Sequence, residues 1–143
     1  MEIRKAGTED LSSILKLLEE NHLTLSGVAE HIHDFLVVIE NHQVIGCAGL
    51  EIYRPVALLR SVAVRKDMRG RGLGRAMVND MLAMARKHHV ETLYLLTTTA
   101  AEFFSTIGFA RIERDRTDPL IRQTEEFSSI CPCSAVVMAK DIR

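Results

Sequence analysis

The chain has 143 residues and a formal net charge of −1, and 47% of its residues are hydrophobic and 26% charged. These fractions are those of an ordinary globular protein, and the length predicts one domain over residues 1–143 that needs no disulfide or structural metal. No overall positive charge attracts nucleic acid or an anionic membrane, so we expect neither as a partner.

Three cysteines are present, Cys47, Cys131 and Cys133. An odd number with one close pair is a poor disulfide framework and indicates a reducing compartment. The segment Met1–Lys5 is polar and lacks the hydrophobic region of a signal peptide, and the longest apolar runs have the length of strands. The sequence therefore predicts a cytoplasmic protein without a membrane span.

The first half of the chain predicts one helix among antiparallel strands. Thr8 is the expected N-cap of a helix with Leu11, Ile14, Leu15 and Leu18 on its apolar face. The other predicted elements are strands at 2–6, 35–40, 43–53 and 57–64, a short helix at 26–32 and a hairpin turn at 41–42.

The second half alternates helices with strands. A strong helix is predicted over residues 72–89, where Leu73, Met77, Met81 and Met84 follow one face. The other predicted elements are a strand at 91–97, a short helix at 99–107, a strand at 109–113, helical turns at 119–128 and a final strand at 135–140. A helical crossover between two sheet neighbours predicts a mixed α/β fold with helices flanking a central sheet.

A glycine-rich loop, Arg69-Gly70-Arg71-Gly72-Leu73-Gly74, lies between an apolar strand and the start of the long helix. Alternating glycines let the backbone approach a ligand, and their N–H groups, backed by the helix dipole, form an anion site. Arg69, Arg71 and Arg75 add charge-assisted hydrogen bonds to phosphate oxygens. The loop therefore predicts a diphosphate-binding site.

Two common nucleotide motifs do not fit this loop. A P-loop requires Lys-Ser/Thr after its last glycine, where this chain has Arg75-Ala76. The Rossmann fingerprint requires a third glycine where this chain has Arg75 or, in the second register, Met77.

The loop matches the Arg/Gln-x-x-Gly-x-Gly/Ala motif of GNAT acetyltransferases, and the whole chain resembles this family in its order of elements. Ser61-Val62-Ala63-Val64 is similar to the family's cofactor strand, and 103–109 to its second cofactor motif. The resemblance implies the GNAT fold, with a mixed and mostly antiparallel central sheet that splays to admit acetyl-CoA. It also implies direct transfer of acetyl from acetyl-CoA to a primary amine, without a metal or a covalent enzyme intermediate.

The same resemblance implies roles for particular residues. The backbone of Val62 and Val64, on either side of Ala63, would pair with the pantetheine arm of acetyl-CoA. Amides from Gly70 to Arg75 would hold the pyrophosphate, and Phe104 would flank the thiol end.

Two further segments, 95–104 and 131–138, resemble the small N-acetyltransferases encoded with bacterial arsenic-resistance genes. More distantly, they are similar to the acetyltransferase domain of N-acetylglutamate synthase. This likeness implies an amino-acid-like acceptor, with an arsenic-containing or other toxic amino-acid analogue as the leading candidate. Acetylation of glutamate, acetylation of a protein N-terminus and a non-catalytic acyl-CoA-binding module are the alternatives.

The sequence does not identify the general acid. Many members of the family use a tyrosine to protonate the departing thiolate, and Phe104 occupies the matching position here. By resemblance, Ser134 is the preferred replacement, with a serine that ends a turn as the alternative. Tyr53 and Tyr94 lie in strand patterns, where a core or sheet role is commoner.

Glu51 is the candidate base because it interrupts an apolar strand and a carboxylate can take the proton of an amine. A position facing water on the alternating side of the strand is the alternative. Arg60, beside Ser61 at the start of the cofactor strand, could hold the carboxylate of an amino-acid substrate as a bidentate pair. A surface salt bridge is the other interpretation.

Cys131 and Cys133 invite a metalloid-sensor hypothesis, because soft thiolates bind soft ions. Two cysteines make an incomplete site, so we predict no metal cofactor. The family resemblance implies a small-molecule amine as the main partner. A homodimer is compatible with the sequence, which does not give the oligomeric state.

Overall fold

A computed structural model describes residues 1–129 and 135–143, and Cys131, Cys133 and Ser134 therefore lie outside the described residues. Across these two ranges, seven strands form one sheet: β1 (Glu2–Lys5), β2 (Phe35–Glu40), β3 (Gln43–Ile52), β4 (Val56–Val64), β5 (Thr92–Thr97), β6 (Ala110–Ile112) and β7 (Val136–Asp141). Their order is β1-β2-β3-β4-β5-β7-β6. Only β4 and β5 pair in parallel, and the other neighbours described are antiparallel. The predicted mixed, mostly antiparallel sheet is confirmed.

Five α-helices complete the described fold: α1 (Leu11–Glu20), α2 (Leu73–Lys87), α3 (Ala101–Thr106), α4 (Pro119–Arg122) and α5 (Glu125–Ser129). Helix α2 is the crossover between β4 and β5, as the alternation of the sequence predicts. Among the described residues, no helix is long and apolar enough to cross a membrane.

Two local predictions near the start of the chain are wrong. Thr8 does not cap α1, because it lies inside a 3₁₀ turn, Thr8–Asp10, that precedes the helix. The Asp10 carboxylate accepts instead from the Gly7 N–H at 2.8 Å. The short helix predicted at 26–32 is a 3₁₀ segment over Ala29–Asp34.

The sheet is covered on both faces because successive strand residues alternate sides. In β2, Leu36 and Val38 pack on the side of α2, together with Met77. Phe35 and Val37 pack on the side of α1. The continuous apolar run of β2 is therefore the pattern of a strand that is buried on both sides.

A close approach between β2 and β3 requires glycine at position 49. A Cβ atom on Gly49 would lie 2.3 Å from the ring of buried Phe35. We expect Gly49→Ala to lower the free energy of unfolding by about 1–3 kcal/mol, as overpacking of a core does. Urea unfolding measures this loss. The control is Gly7→Ala, whose added methyl has the exposed and flexible Glu9 carboxylate as its nearest neighbour. An equal loss in both proteins would contradict the assignment.

Candidate active site

The centre of the sheet opens where β4 and β5 separate. These strands pair only from Val56–Thr92 to Leu58–Tyr94, while β4 continues to Val64 beside β3, and β5 continues to Thr97 beside β7. The splayed sheet that the family resemblance implies is therefore present.

A bulge in β4 lies at this opening. Gly49 pairs with Arg60 and Cys47 pairs with Ala63, so Ser61 and Val62 together oppose one residue of β3. Ser61 has φ of +59°, a value that is uncommon outside glycine. Because a bulge turns side chains out of the regular alternation, it directs Arg60 and Ser61 differently from a plain strand.

The cavity between the strands has a volume of about 670 Å³. One end is formed by the glycine loop, including Gly70, Gly72 and Gly74, at the start of α2. The walls come from the predicted cofactor strand 62–64, from 97–99 at the end of β5, and from Phe104 of α3. The other end is lined by Arg60, Ser61 and Glu126.

The glycine loop has the conformation that its sequence predicts. Gly70 has φ of +84° and Gly72 has φ of +79°, both in the region that favours glycine. No other group in the described part of the chain lies within 4 Å of a Cβ built on either residue, so those residues leave the space above the loop open. Leu73 then begins α2, whose first N–H groups and dipole complete an anion site.

The three loop arginines differ in placement. Arg69 donates to the Asn21 side chain, and Arg75 donates to Thr106 Oγ1 at 2.8 Å; both arginines line the cavity. Arg71 lies 3.7 Å from the Glu40 carboxylate, and it is not among the described residues that line the cavity.

A cluster of charged groups is buried behind the bulge. The Arg60 side chain is fully buried, and its Nη1 donates to Glu51 Oε2 at 2.6 Å. Arg60 also donates to Ser61 Oγ at 2.9 Å and to the Thr24 carbonyl at 3.3 Å. Glu51 Oε1 accepts from the Tyr53 hydroxyl. Arg60 and Glu51 therefore form a buried ion pair. The alternatives from sequence, a surface salt bridge for Arg60 and a water-facing side chain for Glu51, are not what the structure has.

Glu126 of α5 is the residue that sequence reasoning missed. Its carboxylate lies 3.7 Å from Arg60 Nε, and the residue is 6% exposed. Burial raises the Glu126 pKa to about 7; Arg60 opposes this rise and Glu51 adds to it. From sequence, 119–128 was interpreted only as helical turns, and the burial of Thr124, Glu126 and Phe127 is known from the structure alone.

Phe104 is buried, and its ring meets the rings of Phe103 and Phe109 edge-on at 5.1 and 5.8 Å between centroids. Neither tyrosine is among the described residues that line the cavity. Burial, with a contribution from Glu51, raises the Tyr53 pKa, and burial also raises that of Tyr94.

Cys47 is buried in the sheet, and its thiol lies 3.2 Å from the Ser61 carbonyl. Burial raises the Cys47 pKa to about 12, which keeps this thiol protonated and a poor ligand for soft ions. Within 1–129 and 135–143, no group of three or more His, Cys, Asp or Glu side chains could hold a metal ion.

Comparison with known proteins shows the family. The model of the acetyltransferase (GNAT) domain matches residues 31–111. An uncharacterized N-acetyltransferase of Chlorobaculum tepidum is 31% identical, over 79% of this chain and 77% of its own length. The chain belongs to the GNAT acetyltransferase family. It is an N-acetyltransferase that uses acetyl-CoA as the acetyl donor, as its sequence predicts.

Two proteins of Mycobacterium tuberculosis are also similar to this chain. An amino-acid acetyltransferase of Mycobacterium tuberculosis is 32% identical, over 78% of this chain and 69% of its own length. A Mycobacterium tuberculosis protein solved with CoA and a second ligand has a TM-score of 0.82 at 25% identity, with 99% of both chains covered.

The N-acetylglutamate synthase of Neisseria gonorrhoeae, solved with CoA and N-acetyl-glutamate, has a TM-score of 0.85 at 21% identity. The comparison covers 99% of this chain but 35% of the synthase, so this chain spans about a third of that protein. At this identity the similarity shows a common fold.

Proposed function

We propose that this protein transfers the acetyl group of acetyl-CoA to the amine of a free amino acid or an amino-acid-like molecule. One observation carries the proposal: a single cavity runs from the amides of the glycine loop to the buried cluster of Arg60, Glu51 and Glu126. One end thus suits a diphosphate, and the other suits a small acceptor with charged groups. The similarity to amino-acid acetyltransferases supports this acceptor class.

Acetyl-CoA would lie along the opening between β4 and β5. Within the described residues, the backbone of Val62, Ala63 and Val64 has no strand partner on the side of β5 and is available to the pantetheine arm. Amides of Gly70, Gly72 and neighbouring loop residues would hold the pyrophosphate, as would two of the loop arginines, Arg69 and Arg75. Phe104 would then pack beside the thioester.

The acceptor would lie at the Arg60 end, near the bulge. The Arg60 guanidinium already donates to three protein groups. It would therefore attract the acceptor carboxylate by its positive charge and would not form a bidentate hydrogen-bonded pair with it. The Ser61 hydroxyl accepts from Arg60 and can donate its own hydrogen to that carboxylate.

The reaction is a direct displacement. The amine nitrogen attacks the thioester carbon, the C–S bond breaks, and the electron pair leaves with the sulfur. A carboxylate of the buried cluster, Glu51 or Glu126, takes a proton from the nitrogen. Ser134 remains the predicted group near the departing thiolate.

The test is the release of free thiol from acetyl-CoA by the purified protein. The panel contains glutamate, other free amino acids, an arsenic-containing analogue and short peptides with free N-termini, and acetyl-CoA without an amine gives the hydrolysis control. We expect amine-dependent release with a free amino acid or analogue. Release with peptides alone would indicate N-terminal acetylation, and binding of CoA without turnover would indicate a non-catalytic module.

A further inference from the structure

The acceptor end of the cavity has a single arginine and no lysine among the residues that the structure describes. Three arginines line the cavity, but Arg69 and Arg75 lie at the glycine loop, where the pyrophosphate is expected. Arg60 lies at the other end. Residues 130–134, which are outside the described ranges, contain no lysine, arginine or histidine in the sequence. An acceptor bound near Arg60 therefore has one guanidinium to attract its negative charge.

The positive charge of Arg60 is already balanced by carboxylates. Its Nη1 donates to Glu51 Oε2 at 2.6 Å, and its Nε lies 3.7 Å from the Glu126 carboxylate. Both carboxylates are buried, so solvent ions screen them little. Burial raises the Glu126 pKa to about 7, so this carboxyl is mostly ionised at pH 8. The acceptor end therefore carries no excess positive charge.

The surroundings of Arg60 are also crowded. The Ser61 hydroxyl and the Thr24 carbonyl accept from it at 2.9 and 3.3 Å. The backbone of Gly27 covers the guanidinium, because a Cβ on Gly27 would lie 2.7 Å from Arg60 Nη1. The side chain of Arg60 is fully buried. It can attract the α-carboxylate of an acceptor by charge, but it has little room for a second carboxylate.

Net charge then separates the candidate acceptors. A zwitterionic amino acid with an uncharged side chain adds no net charge to the site. Glutamate or aspartate adds one negative charge at a place where two carboxylates already surround one cation. Burial of a charge without a partner is costly, and like charges repel each other. A site discriminates in this way when the disfavoured complex contains an unpaired charge.

Resting on the proposed function, we propose that the acceptor is an amino acid whose side chain carries no negative charge, and that the site rejects glutamate and other dicarboxylic acceptors by charge. The α-carboxylate lies toward Arg60, and the amine lies toward the thioester. The side chain of the acceptor then points away from Arg60, past uncharged residues such as Leu23 that line the cavity.

The test compares matched acceptors with the wild-type protein at pH 8, where histidine side chains are ordinarily uncharged. Glutamine and glutamate, like asparagine and aspartate, differ by one charge at nearly constant size. We expect kcat/KM for each amide to exceed that for its acid by about a hundredfold, the factor that like charges a few ångströms apart in a protein produce. Glutamate γ-methyl ester, which lacks both the charge and the amide, should react nearly as fast as glutamine.

Leu23→Arg tests whether charge is the cause. Leu23 is 38% exposed, lines the cavity and adjoins Thr24, whose carbonyl contacts Arg60, so the variant adds a cation at the acceptor end. We expect the glutamine-to-glutamate ratio of kcat/KM to fall at least about tenfold, mainly through faster reaction of glutamate. Leu120→Arg is the matched control, because Leu120 is 41% exposed on α4 and is not among the described residues that line the cavity. It should keep the wild-type ratio.

The proposal is overturned if any acceptor with a second negative charge reaches a third of the kcat/KM of the fastest uncharged amino acid. It is also overturned if the methyl ester is as slow as glutamate, or if Leu23→Arg binds CoA in calorimetry and keeps the wild-type ratio. If Leu23→Arg fails to bind CoA, the methyl ester decides. Glutamate as the best acceptor would leave the proposed function standing, whereas the absence of thiol release with every free amino acid removes the proposed function itself.

Discussion

Arg60→Met is expected to lower the free energy of unfolding by about 3–5 kcal/mol at pH 8, the loss caused by removing one partner of a buried ion pair. The guanidinium is fully buried between Glu51 and Glu126, and the variant leaves both carboxylates without their cation. In a domain of this size the loss corresponds to a fall in Tm of roughly 10–15 °C. Urea unfolding and calorimetry measure both quantities.

The loss should shrink at pH 5. In the variant, Glu126 loses the cation that opposes the rise of its pKa on burial, so its pKa lies further above the unfolded value. The folded state then binds more protons than the unfolded state and loses stability as the pH rises. Arg65→Met is the matched control, because the Arg65–Asp67 pair lies at the surface, where solvent screens it and its loss should cost far less than loss of the Arg60 pair. Similar losses in the two variants would show that the Arg60 cluster is not buried as described.

Gly72→Val is expected to weaken CoA binding by about a hundredfold or more while the protein stays folded. A β-branched residue is strained at φ of +79°, and its Cβ would enter the open space above the loop where the diphosphate is expected. Loss of one or two charge-assisted hydrogen bonds, each worth about 1.5–3 kcal/mol, accounts for this magnitude. Calorimetric titration with CoA measures the change.

His89→Val is the control for strain alone. His89 also has a positive φ, +64°, but it follows the opposite end of α2. This variant should lose stability and keep its affinity for CoA. If Gly72→Val binds CoA as tightly as the wild-type protein does, the glycine loop does not hold the diphosphate.

Much of the fold could be predicted because the signals were local. The glycine loop predicts the start of α2, which the structure confirms, and an anion site, which stays a prediction; the apolar runs of β2 to β5 indicate a buried sheet. The 3₁₀ segment at Ala29–Asp34 could not be told from an α-helix, because a single short turn lacks a measurable periodicity.

The acceptor end of the site depended on tertiary contacts that no local pattern encodes. Glu51 and Arg60 each interrupt an apolar strand, but their pairing follows from the register of β3 and β4. The positive φ of Ser61 has no marker in the sequence, because serine does not favour that region. Glu126 comes from a helix far along the chain, so its approach to Arg60 exists only after folding.

The separation of β4 from β5 affects how stability and proteolysis of this protein depend on its ligand. Three residue pairs join the two halves of the sheet, and the cavity occupies the place of the next pairs. A donor molecule bound as proposed would bridge this gap, so ligation and resistance to unfolding would rise together, by about 2.7 kcal/mol at a hundred times the dissociation constant. In a starved cell with little acetyl-CoA, the same chain would be open to proteases more often, and its abundance would follow the supply of its own substrate.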